Sequence, residues 1–489
     1  MDNAFGAEHR NLIDGVLADA DGGRVVDNLN PATEEVIGHT ADATRADMDR
    51  AIGAARRAFD ETSWSTDTAL RVRCLRQLEE GLRSVNDDLR QIVVAEAGSP
   101  VALTYAVQCD SSIDGLSHWV GVAESYAWET ALPDTEFMGM TARRLLRREA
   151  AGVVGAITPW NFPFYLNLCK LGPALAAGCT VVLKPAPDTP WSATMIGRII
   201  AEKTDIPPGV VNIVASADHG LGEMLAADPR VDMVTFTGST ATGRRVMAAA
   251  APTVKKIFLE LGGKSAAIML DDADLAAALA GISQVCAHSG QGCALTTRLL
   301  LPRSRYDEGV ELARRSFASL GWGDPTNPAH LAGPLVSARQ RERVLGYVAR
   351  AQQEGARLVC GGGKPAHLPR GYYVEPTIFA DVDESSTLAQ EEVFGPVLAI
   401  LPFDDDDDAV RIANHSIYGL SGAVTSASEE RALAVARRIR TGTMSINGAV
   451  WFAVDTPFGG YKQSGVGREN GMLGFEEYLE AKAIALPAA

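Results

Sequence analysis

Residues 151 to 263 contain, in succession, AGVVGAIT (151–158), LCKLGPALAAG (168–178), CTVVLKP (179–185), TPWSATMIGRIIAEK (189–203), GVVNIVAS (209–216), HGLGEMLAAD (219–228), VDMVTFTGS (231–239), ATGRRVMAAAA (241–251) and KKIFLELGG (255–263). Short β-branched runs alternate with helical segments. That alternation predicts a parallel sheet covered by helices on both faces. In such sheets ligands bind at the carboxyl ends of the strands. The residues with chemical potential fall there: Pro159, Trp160 and Asn161 after the first strand, Lys184 after the second, Gly238 and Ser239 after the fourth, and Glu260 in the fifth.

Downstream, residues 262 to 440 repeat the style. AAIML, TTRLLLP, RLVCGG and VLAILPF read as strands, and DLAAALAGISQVCAH (274–288) and ARQRERVLGYVARAQQEG (338–355) as helices. A second α/β domain is expected. DDDDD at 404–408 reads as a helix N-terminus, where carboxylates suit the helix dipole, and not as a metal site. Residues 441 to 469 are glycine-rich and aromatic, with neither period, and suit the lining of a site.

Upstream, residues 44 to 126 have helical periodicity, and residues 1 to 45 suggest short strands pairing as an early hairpin region. WETALPDTEFMGMTARRLLRRE (128–149) reads as two strands around a turn, and GFEEYLEAKAIALP (474–487) offers a strand to join them. A projecting hairpin of this kind pairs with a neighbouring subunit in many chains.

A chain of 489 residues is too long for one core. A net charge of −16 argues against nucleic acid or an anionic membrane as partner. No apolar run reaches membrane-spanning length, the first ten residues lack signal-peptide character, and seven scattered cysteines without a CxxC pair suit a reducing compartment. A cytoplasmic protein is expected.

Cys293 sits in GQGCALTTR (290–298), where Gly290 and Gly292 let the backbone bend before a buried strand. A thiol exposed but rigidly held there suits a nucleophile; the alternative is an ordinary small apolar residue. Glu260 is a carboxylate among Phe258, Leu259 and Leu261, and burial would give it the strength of a general base; the alternative is an ion pair with Lys264 or another cation. Asn161, between Trp160 and Phe162, suits a donor to an oxygen that gains charge, or a turn beside Pro163. FTGSTATG (236–243) opens a helix and offers N–H groups to a phosphate, although it lacks the GxGxxG spacing, and Arg244 and Arg245 replace the end of a P-loop. Lys184 suits ribose or phosphate. In EEVFGPV (391–397), Glu392 suits ribose hydroxyls and Phe394 a cofactor ring.

PWNFP (159–163), KPAP (184–187), FTGST (236–240), LELGGK (259–264), GQGC (290–293), EEVFGPV (391–397) and PFGGYKQSGVGRE (457–469) stand in the order seen in the aldehyde dehydrogenase superfamily. The chain resembles that superfamily from LNPAT (29–33) to its last strand. The resemblance implies two doubly wound α/β domains plus a small β oligomerisation hairpin. The cofactor-binding domain would take 1–127 and 148–261, the catalytic domain 262–463, and the arm with its C-terminal strand 128–147 and 464–489.

The resemblance also implies roles. Cys293 would attack the aldehyde carbon, Asn161 with the Cys293 N–H would hold the oxyanion, and Glu260 would activate water against the thioester left after hydride transfer. Trp160, Lys184, Gly238, Ser239, Leu261, Glu392 and Phe394 would contact NAD. NADP stays open, because many NAD-preferring members carry a glutamate three residues after the lysine, where this chain has Pro187, followed by Asp188. Phe162, Trp451, Phe452 and Phe458 would line a tunnel for an apolar aliphatic or aromatic aldehyde, and a homodimer or homotetramer is expected.

Three rivals remain at this point. The first is a cofactor-free cysteine hydrolase using His288 or Glu260, with His288 more naturally a capping or surface residue. The second is an acylating enzyme that passes its acyl group to coenzyme A, against which Glu260 argues. The third is a non-catalytic binding module.

Overall fold

The computed structural model describes residues 3–487. Its first sheet has eight strands. Five parallel strands form the centre, in the spatial order Lys256–Glu260, Met233–Thr237, Val153–Ile157, Thr180–Lys184, Val211–Ile213. The chain starts in the middle strand, winds to one side, then crosses back to the other. The point of reversal lies between Val153–Ile157 and Met233–Thr237, where α/β sheets open a ligand crevice. Alternation along the strands divides the core. Val154, Ala156, Val181 and Leu183 pack into one helical layer, and Val153, Val182, Val234 and Leu259 into the other.

The second sheet has seven strands, with Ala266–Met269, Arg298–Pro302, Thr377–Ala380, Val397–Phe403 and Gly422–Thr425 parallel at its centre. Ile268, Leu300 and Leu401 face one layer, and Ala267, Leu299 and Ile400 the other. The acidic run does start a helix. Asp406–Asn414 is capped by the Asp405 side chain, which accepts from the Asp408 N–H at 2.9 Å.

The arm is a three-stranded antiparallel sheet. Met140–Ala150 is its middle strand, flanked by Glu129–Phe137 and by Leu479–Pro487. Its hairpin turns at Met138 and Gly139, both with positive φ, the conformation that a two-residue hairpin loop demands. Among the described residues no helix is long and apolar enough to cross a membrane.

The structure departs from the sequence expectations in three places. The early hairpin region is two hairpins: Asn11–Ile13 with Val16–Ala18 extends the first sheet beyond Val211–Ile213, and Val25–Asn30 with Glu35–Ala41 stands apart. The tail expected wholly in the arm is shared, because Gly465–Val466 first pairs antiparallel with Leu259 and Glu260 and covers the edge of the first sheet. The helix expected over 274–288 is broken: Leu275–Leu279 is helical, Ile282–Gly290 is tighter and irregular, and His288 and Ser289 are left-handed. Hydrogen bonds from the His288 N–H to the Leu331 carbonyl (2.8 Å) and from Ser289 Oγ to the Gly333 carbonyl replace those of a helix.

Candidate active site

Strand register sets one wall of the site. Ile157 pairs with both Lys184 and Phe236, and Thr237 pairs with Glu260, so these strands end together. The wall ends in Pro159–Asn161, Lys184, Gly238–Ser239 and Glu260–Leu261. The second domain brings Cys293 to it. Gly263 makes the approach close, since a Cβ there would lie 2.5 Å from the Cys293 carbonyl oxygen.

Cys293 is half-buried, less open than the sequence suggested, and Gly263 lies against its backbone. Burial first, and the neighbouring Glu260 next, hold its thiol well above the usual range. Glu260 is buried at 1% exposure, and its Oε1 has no hydrogen-bond partner among the described residues. Burial foremost, with the charge of Glu469, pushes its carboxyl up to about 8, against the opposing pull of Lys170 and of the Cys293 thiol. The alternative ion pair to Lys264 does not form. Lys264 Nζ is buried with no partner among the described residues, and burial lowers it to about 7.

Asn161 is buried and fixed at both ends. Its Nδ2 donates to the Gln291 carbonyl at 3.0 Å, and its main-chain carbonyl accepts from Gln108 Nε2 at 3.1 Å. His288, expected as a cap or surface residue, is instead buried at 1% exposure, edge-on to Phe162 with ring centroids 5.5 Å apart. Burial lowers it to about 4, which keeps it neutral. The groups that act most on the thiol are the carboxyls Glu260, Glu392 and Glu469.

Ser239 caps the Thr240–Ala250 helix by accepting from the Thr242 N–H at 3.2 Å, so the start of that helix faces the crevice. Leu261 packs on it, since a Cβ on Gly243 would meet its side chain at 2.6 Å. Lys184 is buried, donates to the Ser216 carbonyl at 3.3 Å, and is lowered by burial to about 8. Across the crevice, Trp160 and Phe394 meet edge to face at 5.3 Å. Phe394 holds a positive φ, and its carbonyl accepts from Gln340 Nε2 at 2.8 Å. Glu392 Oε1 accepts from the Gly263 N–H at 2.9 Å. A buried cation, a helix start, two aromatic faces and a carboxylate along one crevice fit a dinucleotide.

Residues 17–484 match the aldehyde dehydrogenase family model. The chain belongs to the aldehyde dehydrogenase family. A 3-succinoylsemialdehyde-pyridine dehydrogenase of a Pseudomonas species is 45% identical over 96% of this chain and 97% of its own. A Mycobacterium tuberculosis aldehyde dehydrogenase complexed with NAD+ superposes with a TM-score of 0.94 at 42% identity, covering 98% of this chain and 99% of that one. Aldehyde dehydrogenase C of Pseudomonas syringae, in a mutant complex with NAD+ and octanal, superposes with a TM-score of 0.91 at 39% identity over 98% and 96% of the two chains. As a member of this family the protein is an oxidoreductase acting on aldehydes.

In this aldehyde dehydrogenase the four tunnel candidates fall into two groups. Trp451 stacks on Phe458 at 5.5 Å with a 6° interplanar angle and meets Phe452 at 5.8 Å. Phe162 packs instead on His288. Tyr165, which sequence reasoning missed, joins the first group through Phe452 at 5.7 Å. Lys170 and Glu469 were missed as well. Lys170 Nζ lies 2.6 Å from Glu469 Oε1 and 4.4 Å from the centroid of the Phe258 ring. The available signal was a lysine within LCKLGPALAAG, a segment whose other residues are nearly all apolar. The Pro163–Ala177 helix is indeed buried on every side except at Tyr165.

Proposed function

We propose that the protein oxidises an apolar aliphatic or aromatic aldehyde to the carboxylic acid with NAD+, through a covalent Cys293 adduct and hydrolysis of the thioester. The observations that support this are the bond from Asn161 Nδ2 to the Gln291 carbonyl, two residues before Cys293, and the buried Glu260 carboxyl whose charge acts on the Cys293 thiol. An aldehyde has no leaving group, so its hydride can depart only after a nucleophile has made the carbon tetrahedral.

Glu260 accepts the thiol proton as Cys293 Sγ bonds to the aldehyde carbon. Asn161 Nδ2 and the Cys293 N–H donate to the oxygen that becomes negative. Trp160, Lys184, Gly238, Ser239 and Leu261 on one side, and Glu392 and Phe394 on the other, would hold the cofactor. Bound NAD+ supplies the hydride acceptor. Glu260 gives up the thiol proton to solvent; raised toward neutrality by burial, it then takes a proton from water as the water oxygen adds to the thioester carbon, and passes it to the Cys293 sulfur, which leaves as the thiol. That base argues for hydrolysis over transfer to coenzyme A.

The stacked Trp451 and Phe458 favour an apolar chain or ring. The relatives that act on a pyridyl semialdehyde or bind octanal point the same way. Pro187 offers no carboxylate against a 2′-phosphate. Asp188 is half-buried and raised by burial, with Arg339 and His219 acting against that rise, so NADP is the second cofactor to test. The arm supports a homo-oligomer: Phe137, Met138 and Met140 are exposed at its tip. Seven free cysteines suit the cytoplasm.

The test is the initial rate of nicotinamide reduction with NAD+ and with NADP+, across octanal, benzaldehyde, a pyridyl ketoaldehyde and betaine aldehyde. Reduction absent in Cys293→Ala, and stalled after about one turnover in Glu260→Gln, is the expected result. Ester hydrolysis without any cofactor-dependent reduction would overturn it.

A further inference from the structure

We propose that Gln291 is a positioning residue for the oxyanion site, acting through Asn161 by tying the nucleophile loop to the 331–336 segment. The proposal rests on the oxyanion reading of Asn161 given above.

The loop that delivers Cys293 is unlike a relaxed turn. His288, Ser289 and Gly290 are left-handed in succession, with φ of 50°, 54° and 71°. Two of the three are not glycine, and such conformations persist only where the surroundings over-determine them. Residues 331–336 do this. The Leu331 carbonyl accepts from the His288 N–H at 2.8 Å, and the Gly333 carbonyl accepts from Ser289 Oγ.

Gln291 is the junction. It is fully buried, and both ends of its side chain are used. Nε2 donates to the His288 carbonyl at 3.0 Å and to the Pro334 carbonyl at 3.3 Å, while Oε1 accepts from the Val336 N–H at 2.9 Å. One amide therefore binds its own loop and the 331–336 segment. On the far side of the nucleophile, Ser421 Oγ donates to the Ala294 carbonyl at 2.6 Å, so Cys293 is held from both directions.

The Gln291 carbonyl is where this frame reaches the chemistry. It accepts one N–H of the Asn161 amide at 3.0 Å. A primary amide has two N–H groups, so this bond fixes the amide plane and leaves the second for a substrate oxygen. The same loop carries the Cys293 N–H two residues on. Both proposed oxyanion donors thus take their placement from one junction. Displacing a donor by even about 1 Å is enough to lose on the order of a hundredfold in rate.

The experiment is a double-mutant cycle in the intact enzyme with NAD+ and its best aldehyde, normalised to titrated Cys293. Gln291→Met keeps the shape and removes every side-chain hydrogen bond. It is expected to lower kcat, and cofactor-free hydrolysis of 4-nitrophenyl acetate, by about 10- to 100-fold, with the KM for NAD+ within about threefold of wild type. In an Asn161→Ala background the same change is expected to cost less than about threefold, because the group it positions is gone. If Gln291→Met does not fold, Gln291→Glu carries the same comparison, keeping the acceptor for Val336. An equal loss in both backgrounds shows a merely structural residue and overturns the proposal, as does turnover within about threefold of wild type. Asn161→Ala that turns over like wild type overturns the oxyanion reading itself, and this proposal with it.

Discussion

The Lys170 ammonium lies 2.6 Å from the Glu469 carboxylate, both sealed from solvent and both within electrostatic reach of Glu260. Burial does most to raise the Glu260 carboxyl; Glu469 pushes it further up and Lys170 pulls it down, so the pair adjusts the strength of the proposed base. A buried pair is poor evidence of stability, but removing one partner leaves the other charge uncompensated. Thioester hydrolysis should rise with pH through about 8 as Glu260 ionises. In Lys170→Met the unopposed Glu469 charge moves that rise to higher pH, and in Glu469→Gln the unopposed Lys170 moves it lower. Single-turnover release of acid, followed against pH in both variants, checks the two directions.

Glu260 also ties stability to pH. Between its ordinary value of 4.5 and about 8 the folded protein keeps a proton that the unfolded chain has lost. The folded state binds more protons there, so stability from this group is full below that window and falls as pH rises through it. Glu260→Gln, which never ionises, should therefore raise the melting temperature relative to wild type more at about pH 8.5 than at about pH 5. Thermal melts at the two pH values measure this directly.

Asn161→Ala should lower kcat by about 10²–10³ while the rate of Cys293 alkylation by neutral iodoacetamide changes little. Alkylation needs the thiol but develops no oxyanion. Parallel loss of both rates would place Asn161 in support of the loop and not in stabilisation of charge.

Lys184 is buried and lowered to about 8, so its charge is lost at mildly alkaline pH. The KM for NAD+ should rise above about pH 8 in wild type and should be higher but pH-independent in Lys184→Met. Steady-state kinetics at saturating aldehyde give both values.

A Cβ on Gly262 would meet Glu392 Oε2, so any larger residue there must push that carboxylate aside. Gly262→Ala should displace that carboxylate, raise the KM for NAD+ by about tenfold, and leave Cys293 alkylation near wild type. Cofactor titration of the purified variant tests it.

The doubly wound first sheet was legible because its strands and helices differ in period, and because Asn161, Lys184, Ser239 and Glu260 stand at strand ends where such sheets bind ligands. Other parts of the site were not. His288 looked superficial because a helical period over 274–288 hides a loop imposed from outside by Leu331 and Gly333. Gln291 was passed over because its role depends on Pro334 and Val336, more than forty positions away in sequence. Lys170 and Glu469 are separated by 299 residues, and only packing brings them together. Local sequence reports period and turn chemistry; it does not report which distant polar group satisfies a buried one.

Gly465 and Val466 lie beside the strand that ends in Glu260, and the same tail supplies Glu469 and then the Leu479–Pro487 strand of the arm. This makes the order of synthesis matter. The nucleophile loop and the cofactor sheet leave the ribosome first, yet the proposed base keeps an open flank and Lys170 an unmatched charge until residues past 465 emerge. A nascent chain stalled before that point would carry Cys293 without the surroundings that set its base. Competence to turn over and the closing of the arm by its third strand would therefore arrive together.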